Sequence, residues 1–215
     1  MDRLRVSSGE AAFMIGVPLA WAVLLLFHPS GEADEVYVSL QDEVTDGLVV
    51  HIGMLIFIPL MAAVIYLLLR GVEGTAARIS RAALVPFVVF YSAWEVLQGI
   101  ANSILVDKVN GLPETERSTG ADLVQDFAES PLARDLGVFG SIGTLGFIVA
   151  VTAAGIALHR NAGAPVSVVV LLVLSGFLIT AHPPPFGPTG LVLFVVAVLL
   201  FWRSQSAAVR EPARG

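Results

Sequence analysis

Residues 48–69 read LVVHIGMLIFIPLMAAVIYLLL, and in these 22 positions there is no Asp, Glu, Lys or Arg. A helix needs roughly 20 apolar residues to cross the hydrocarbon layer of a bilayer, so this run is a full span. It does not alternate between apolar and polar positions, as a barrel strand with one wet face would, and a helix satisfies all its backbone polar groups internally. Similar runs lie on either side, at about 11–28, 83–106, 136–158, 165–182 and 187–202. The expected fold is an all-α, polytopic transmembrane bundle of six helices in a single domain covering 1–215.

The composition agrees. Only 14% of the 215 residues are charged and 56% are hydrophobic, with a mean hydropathy of +0.82. A soluble domain carries about a quarter charged residues because its surface faces water. The absence of cysteine excludes disulfides, thiolate metal sites and iron–sulfur clusters. The single lysine, Lys108, falls in a hydrophilic stretch, which excludes a retinal Schiff base inside the bundle. No phosphate-binding Gly-x-x-x-x-Gly-Lys loop and no His-Glu-x-x-His are present, and nothing points to nucleic acid.

Orientation follows from the basic residues. With a cytoplasmic N-terminus, the inner segments hold Arg3, Arg5, Arg70, Arg78, Arg81, Arg160, Arg203, Arg210 and Arg214, and the outer ones only Lys108, Arg117 and Arg134. That bias places both termini in the cytoplasm. Eleven arginines against one lysine, with abundant Ala, Val and Gly, fit a high-GC genome and the inner membrane of a bacterium or archaeon. The outer loops, 29–47 and 107–135, are rich in Asp and Glu (Glu32, Asp34, Glu35 and Asp135 among them) and give that face a negative potential that draws cations. The first segment has the basic flank of a signal peptide, with Gly31-Glu32-Ala33 as a small-residue cleavage point. Its length and its Phe13 and Trp21 favour a retained helix.

Three smaller patterns bear on packing. Residues 120–130 place Leu123, Val124 and Phe127 at helical spacing, which predicts a short amphipathic helix serving as a lid or packing element. Gly137, Gly140, Gly143 and Gly146 recur at three-residue spacing and predict a face for close helix contact. Shifted by ninety positions, Ile52, Gly53, Leu55, Phe57 and Ile58 match Ile142, Gly143, Leu145, Phe147 and Ile148, as two copies of one helical hairpin would.

Glu95 is the most informative residue. An acid at the centre of a span costs about 2.5–3.5 kcal/mol on insertion scales, so it must face the bundle interior. Gln98 and Asn102 lie one and two turns above it and Tyr91 one turn below, forming a polar stripe expected to line an outward-facing cavity. His28, His51 and His182 stand at the outer ends of three segments, where imidazoles at one depth can converge on a metal ion or a haem iron. His51 and His182 are the natural haem pair, with Glu95 expected to lie deeper. His159 beside Arg160 is an interfacial anchor, and Ser141 with His182 is a weaker nucleophilic dyad. Three functions are compatible with these residues. The first is binding or transport of a small cation (proton, metal ion or organic cation). The second is redox chemistry on haem b, and the third a non-catalytic accessory role beside another membrane protein. An enzyme is the less expected outcome.

Overall fold

The computed structural model describes residues 7–29, 35–134 and 136–210, with side chains to residue 206. Arg3, Arg5, Arg214, Glu32, Asp34, Asp135 and the candidate cleavage point at 31–33 lie outside the described residues. The protein is an all-α helix bundle, 83% helical, with five helices among the described residues long and apolar enough to cross a membrane. It is an integral membrane protein. The elements are α1 (Ser8–Leu25), α2 (Val36–Leu40), α3 (Val44–Leu68), α4 (Thr75–Asn110), α5 (Glu114–Ala128), α6 (Val138–Ala162), α7 (Val166–Thr180) and α8 (Phe186–Arg210).

Six of these form a ring in chain order. α1 packs on α3, α3 on α4, α4 on α6, α6 on α7 and α7 on α8, and α8 closes on α1. The interior is filled by Trp21, Met54, Ile58, Phe87, Phe147 and Phe194, each almost fully buried. Trp21, fully buried, seats α1 in this core.

The ends of the ring differ in chemistry. At the arginine-rich end, a capping box of Ser7 and Glu10 starts α1, and Glu10 also pairs with Arg70 beyond the end of α3. Arg81 donates to the carbonyls of Leu69 and Val72, in the turn that follows α3. Asn161 reaches the Glu73 carbonyl, and Gln205 the Ala162 carbonyl. The start of α1 and the end of α8 therefore share one face of the bundle. Between α6 and α7, Gly163 adopts φ 68°, a left-handed C-cap that favours glycine, and Pro165 then starts α7.

Several boundaries differ from the sequence expectation. α4 starts at Thr75, not near 83, because its first turns are amphipathic: Ala77, Ser80 and Leu84 face inward while Arg78 points out. An apolar run marks only the stretch that lipid surrounds. α4 also continues to Asn110, where Val106 and Val109 support a small second core with Val36, Val124 and Ala128. α7 has 15 residues and stops at Thr180, ahead of Pro183-Pro184-Pro185. The short helix expected at 120–130 runs from Glu114 to Ala128, behind Pro113. Its inward stripe is Gly120, Val124 and Ala128, whereas Leu123 is exposed. It packs on α2 and the end of α4 as a cap over the acidic end of the ring.

The glycine face on α6 does pack closely. A Cβ on Gly143 would lie 2.5 Å from the Tyr91 backbone nitrogen, and one on Gly146 would lie 2.7 Å from that of Phe87. Both contacts fall on α4. α3 and α6, the proposed repeat partners, each have 25 residues, but the helices following them have 36 and 15.

A candidate metal centre

α4 is not a regular α-helix through the bilayer. It widens into π-helical turns at Phe87–Tyr91 and Val96–Ala101, on either side of the single α turn Ser92–Glu95. Pro86, at the entry to the first, lacks the N–H that an α-helix would use there. Such turns widen a helix locally and often coincide with functional positions. Here they flank Trp94 and Glu95, which face the ring interior at 5% and 1% exposure.

Opposite them stand the three histidines. His51 lies two turns inside α3, because that helix begins at Val44, and about 10 Å along the axis separates the two. His182 follows α7, and the proline-rich turn folds it inward until it is 8% exposed. His28 follows α1 and is half-buried. One ring nitrogen from each of the three lies within 4.8 Å of the others. Their centroids are 4.9 Å apart for His28–His51, 4.6 Å for His28–His182 and 6.2 Å for His51–His182, all edge-on. The sequence expectation that Glu95 lies deeper is corrected. Its Oε2 is 3.7 Å from His51 Nε2, since His51 sits further down its helix than the apolar run implied.

Two of the three imidazoles have defined tautomers. His28 Nδ1 lies 2.7 Å from the Pro29 carbonyl, and His51 Nδ1 2.7 Å from the Gly47 carbonyl. A carbonyl can only accept, so each Nδ1 carries the proton and each Nε2 presents its lone pair. This is the usual arrangement of metal-ligating histidine, in which the outer N–H is held by a carbonyl or carboxylate. His28 Nε2 is buried with no hydrogen-bond partner among the described residues. Around His182 are the Tyr91 hydroxyl, 3.4 Å from Nδ1, and the Trp94 ring, 5.3 Å away.

A tetrahedral ion with metal–nitrogen bonds of about 2.0 Å needs donors about 3.3 Å apart, so nitrogens within 4.8 Å must close by at most about 1.5 Å. Three imidazoles and one carboxylate are a donor set suited to zinc or another divalent first-row ion.

The rest of the polar stripe has a different role. Asn102 donates to the Oε1 and carbonyl oxygen of Gln98, at 2.7 and 2.9 Å, and Gln98 Nε2 donates to the Ala128 carbonyl at 3.3 Å. These two residues tie α4 to the α5 cap. Ser141 is exposed, unlike the buried His182. His159 holds the Ala164 carbonyl at the opposite end of the bundle.

Sequence reasoning missed Gly99. A Cβ there would overlap the His51 ring, so the absence of a side chain makes the space that the imidazole occupies. It also missed Gly187, where a Cβ would strike the His182 carbonyl. A glycine within the polar stripe is the one signal that could have drawn notice to the first.

These features define a membrane helix bundle with a largely buried cluster of three histidines and a glutamate at one end. Compared with known protein families, with curated proteins and with solved structures, the chain matches none.

Proposed function

We propose that this membrane protein binds one divalent first-row transition-metal ion, zinc by preference, through His28, His51 and His182, with Glu95 completing the site. The observation that carries the proposal is the convergence of three ring nitrogens from three separate elements, two of them oriented by backbone carbonyls. Charge supports it as well. Neutral imidazoles leave a divalent ion uncompensated in a low-dielectric interior, and a carboxylate beside them offsets half of that charge. The acidic residues of α5 and of the segment before α3 raise the local cation concentration on this face.

An ion is favoured over haem. Two axial imidazoles hold an iron with the macrocycle spread between them, and His28 lies in that space, 4.6 and 4.9 Å from the other two rings. The arginine bias puts the centre on the outer side of the membrane.

The test is elemental analysis of protein purified in detergent, followed by zinc and cobalt titration of chelator-treated material. One equivalent of tightly held ion is expected, with the d–d absorption of a tetrahedral nitrogen–oxygen site for cobalt. Reconstituted protein that retains less than about a tenth of an equivalent after desalting would refute the proposal.

A further inference from the structure

A second feature lies at the opposite end of the bundle and uses none of the proposed metal ligands. α4, α6 and α7 do not meet along their full length. They leave a groove of about 620 Å³, lined by Ala76, Ile79, Ile148, Ile156 and Phe177 among others, with Arg160 at its end. Its α6 wall runs from Ile148 to Arg160, which is about 18 Å along the axis. Half of the hydrocarbon thickness of a bilayer is about 15 Å, so the groove is as long as one leaflet is deep. Arg160 is exposed at the mouth, two residues before α6 ends, and makes no ion pair with a described acid. Thr75 and Thr152 add hydroxyls to the lining.

A groove of this kind, opening sideways from a membrane helix bundle, is filled by an acyl chain, since lipid is the solvent there. The guanidinium at its mouth, which has no ion-pair partner among the described residues, selects the headgroup, because a guanidinium binds phosphate through forked hydrogen bonds and a cation at the surface attracts net negative charge. We propose that the groove between α4, α6 and α7 is a binding site for one anionic phospholipid of the arginine-side leaflet, with an acyl chain along α6 and the phosphate on Arg160.

The test uses the full chain, delipidated in detergent and titrated with phosphatidylglycerol or phosphatidylcholine, with bound lipid counted by native mass spectrometry. One phosphatidylglycerol is expected to bind in preference to phosphatidylcholine. A basic residue near the membrane surface accounts for about a five-fold change in lipid affinity, so Arg160→Gln should remove about that much of the preference. Arg78→Gln, on α4 at the same end but outside the groove lining, should leave the preference intact. Ile156→Trp, which fills the groove, should release the lipid without altering the metal content. Equal binding of the two lipids, an equal loss with Arg78→Gln, or lipid retained by Ile156→Trp would each overturn the proposal.

Discussion

Gly99→Ala isolates the geometry of the histidine cluster from its chemistry. The substitution leaves every proposed ligand in place and adds one methyl group on α4. That methyl would coincide with the His51 ring, whose Cβ, Cγ and Cδ2 are the atoms nearest to it. Neither backbone can yield easily, so the ring must leave its rotamer. It then loses the 2.7 Å bond from Nδ1 to the Gly47 carbonyl, worth about 1 kcal/mol net, and the orientation that this bond gives Nε2. Overpacking adds about 1–3 kcal/mol of destabilisation. Disturbing the support of a ligand commonly costs 10–100-fold in metal affinity, and here the ligand itself is displaced, so a loss of about 100-fold or more is expected. Competition against a chelator of known affinity measures it, with thermal unfolding by circular dichroism alongside. Gly16→Ala is the control: its added Cβ meets nothing within 4 Å, so affinity and stability should hold. If Gly99→Ala binds zinc as wild type does, His51 is not where the bound state needs it and the proposed centre is wrong.

Further predictions follow from the same contacts. Alanine at His51 or at His182 should abolish stoichiometric zinc, and His28→Ala should weaken it at least 10-fold; three variants with undiminished metal content would rule out the cluster. Glu95→Gln preserves volume but removes the charge, so affinity should drop by about 10-fold or more while the fold persists, as read by zinc competition and circular dichroism. Zinc flux into liposomes that stays unchanged in Glu95→Gln would separate binding from any passage of ions through this carboxylate. Gly146→Ala pushes a methyl against the Phe87 backbone and should destabilise the protein by about 1–3 kcal/mol in an unfolding titration, with metal affinity little changed.

The architecture was legible because hydrocarbon imposes it. Uncharged runs of about 20 residues have few alternatives, and residues 48–69 could hardly be anything but a span. What lay outside the hydrocarbon was harder to read. The amphipathic start of α4 at Thr75 and the inward stripe of α5 depend on tertiary partners, Val109 and Leu112 beneath Gly120 among them, that no local pattern reveals. The candidate site was half legible. A shared depth singled out His28, His51 and His182, and the cost of burial singled out Glu95. Their meeting was not legible, because it depends on where α3 begins and on the inward fold of the turn after Thr180. Gly99 was invisible for a plainer reason: its contribution is empty space, and a glycine in an apolar helix has many ordinary explanations.

The distribution of the cluster along the chain carries a consequence for biosynthesis. His28 follows the first helix, whereas His182 lies 154 positions later, past every other helix except α8. A ribosome would deliver the helices from α2 to α7 between the first of these imidazoles and the last. Loading of the proposed ion would then wait for α7, and the ion would act as a clasp holding α1 against the hairpin of α7 and α8.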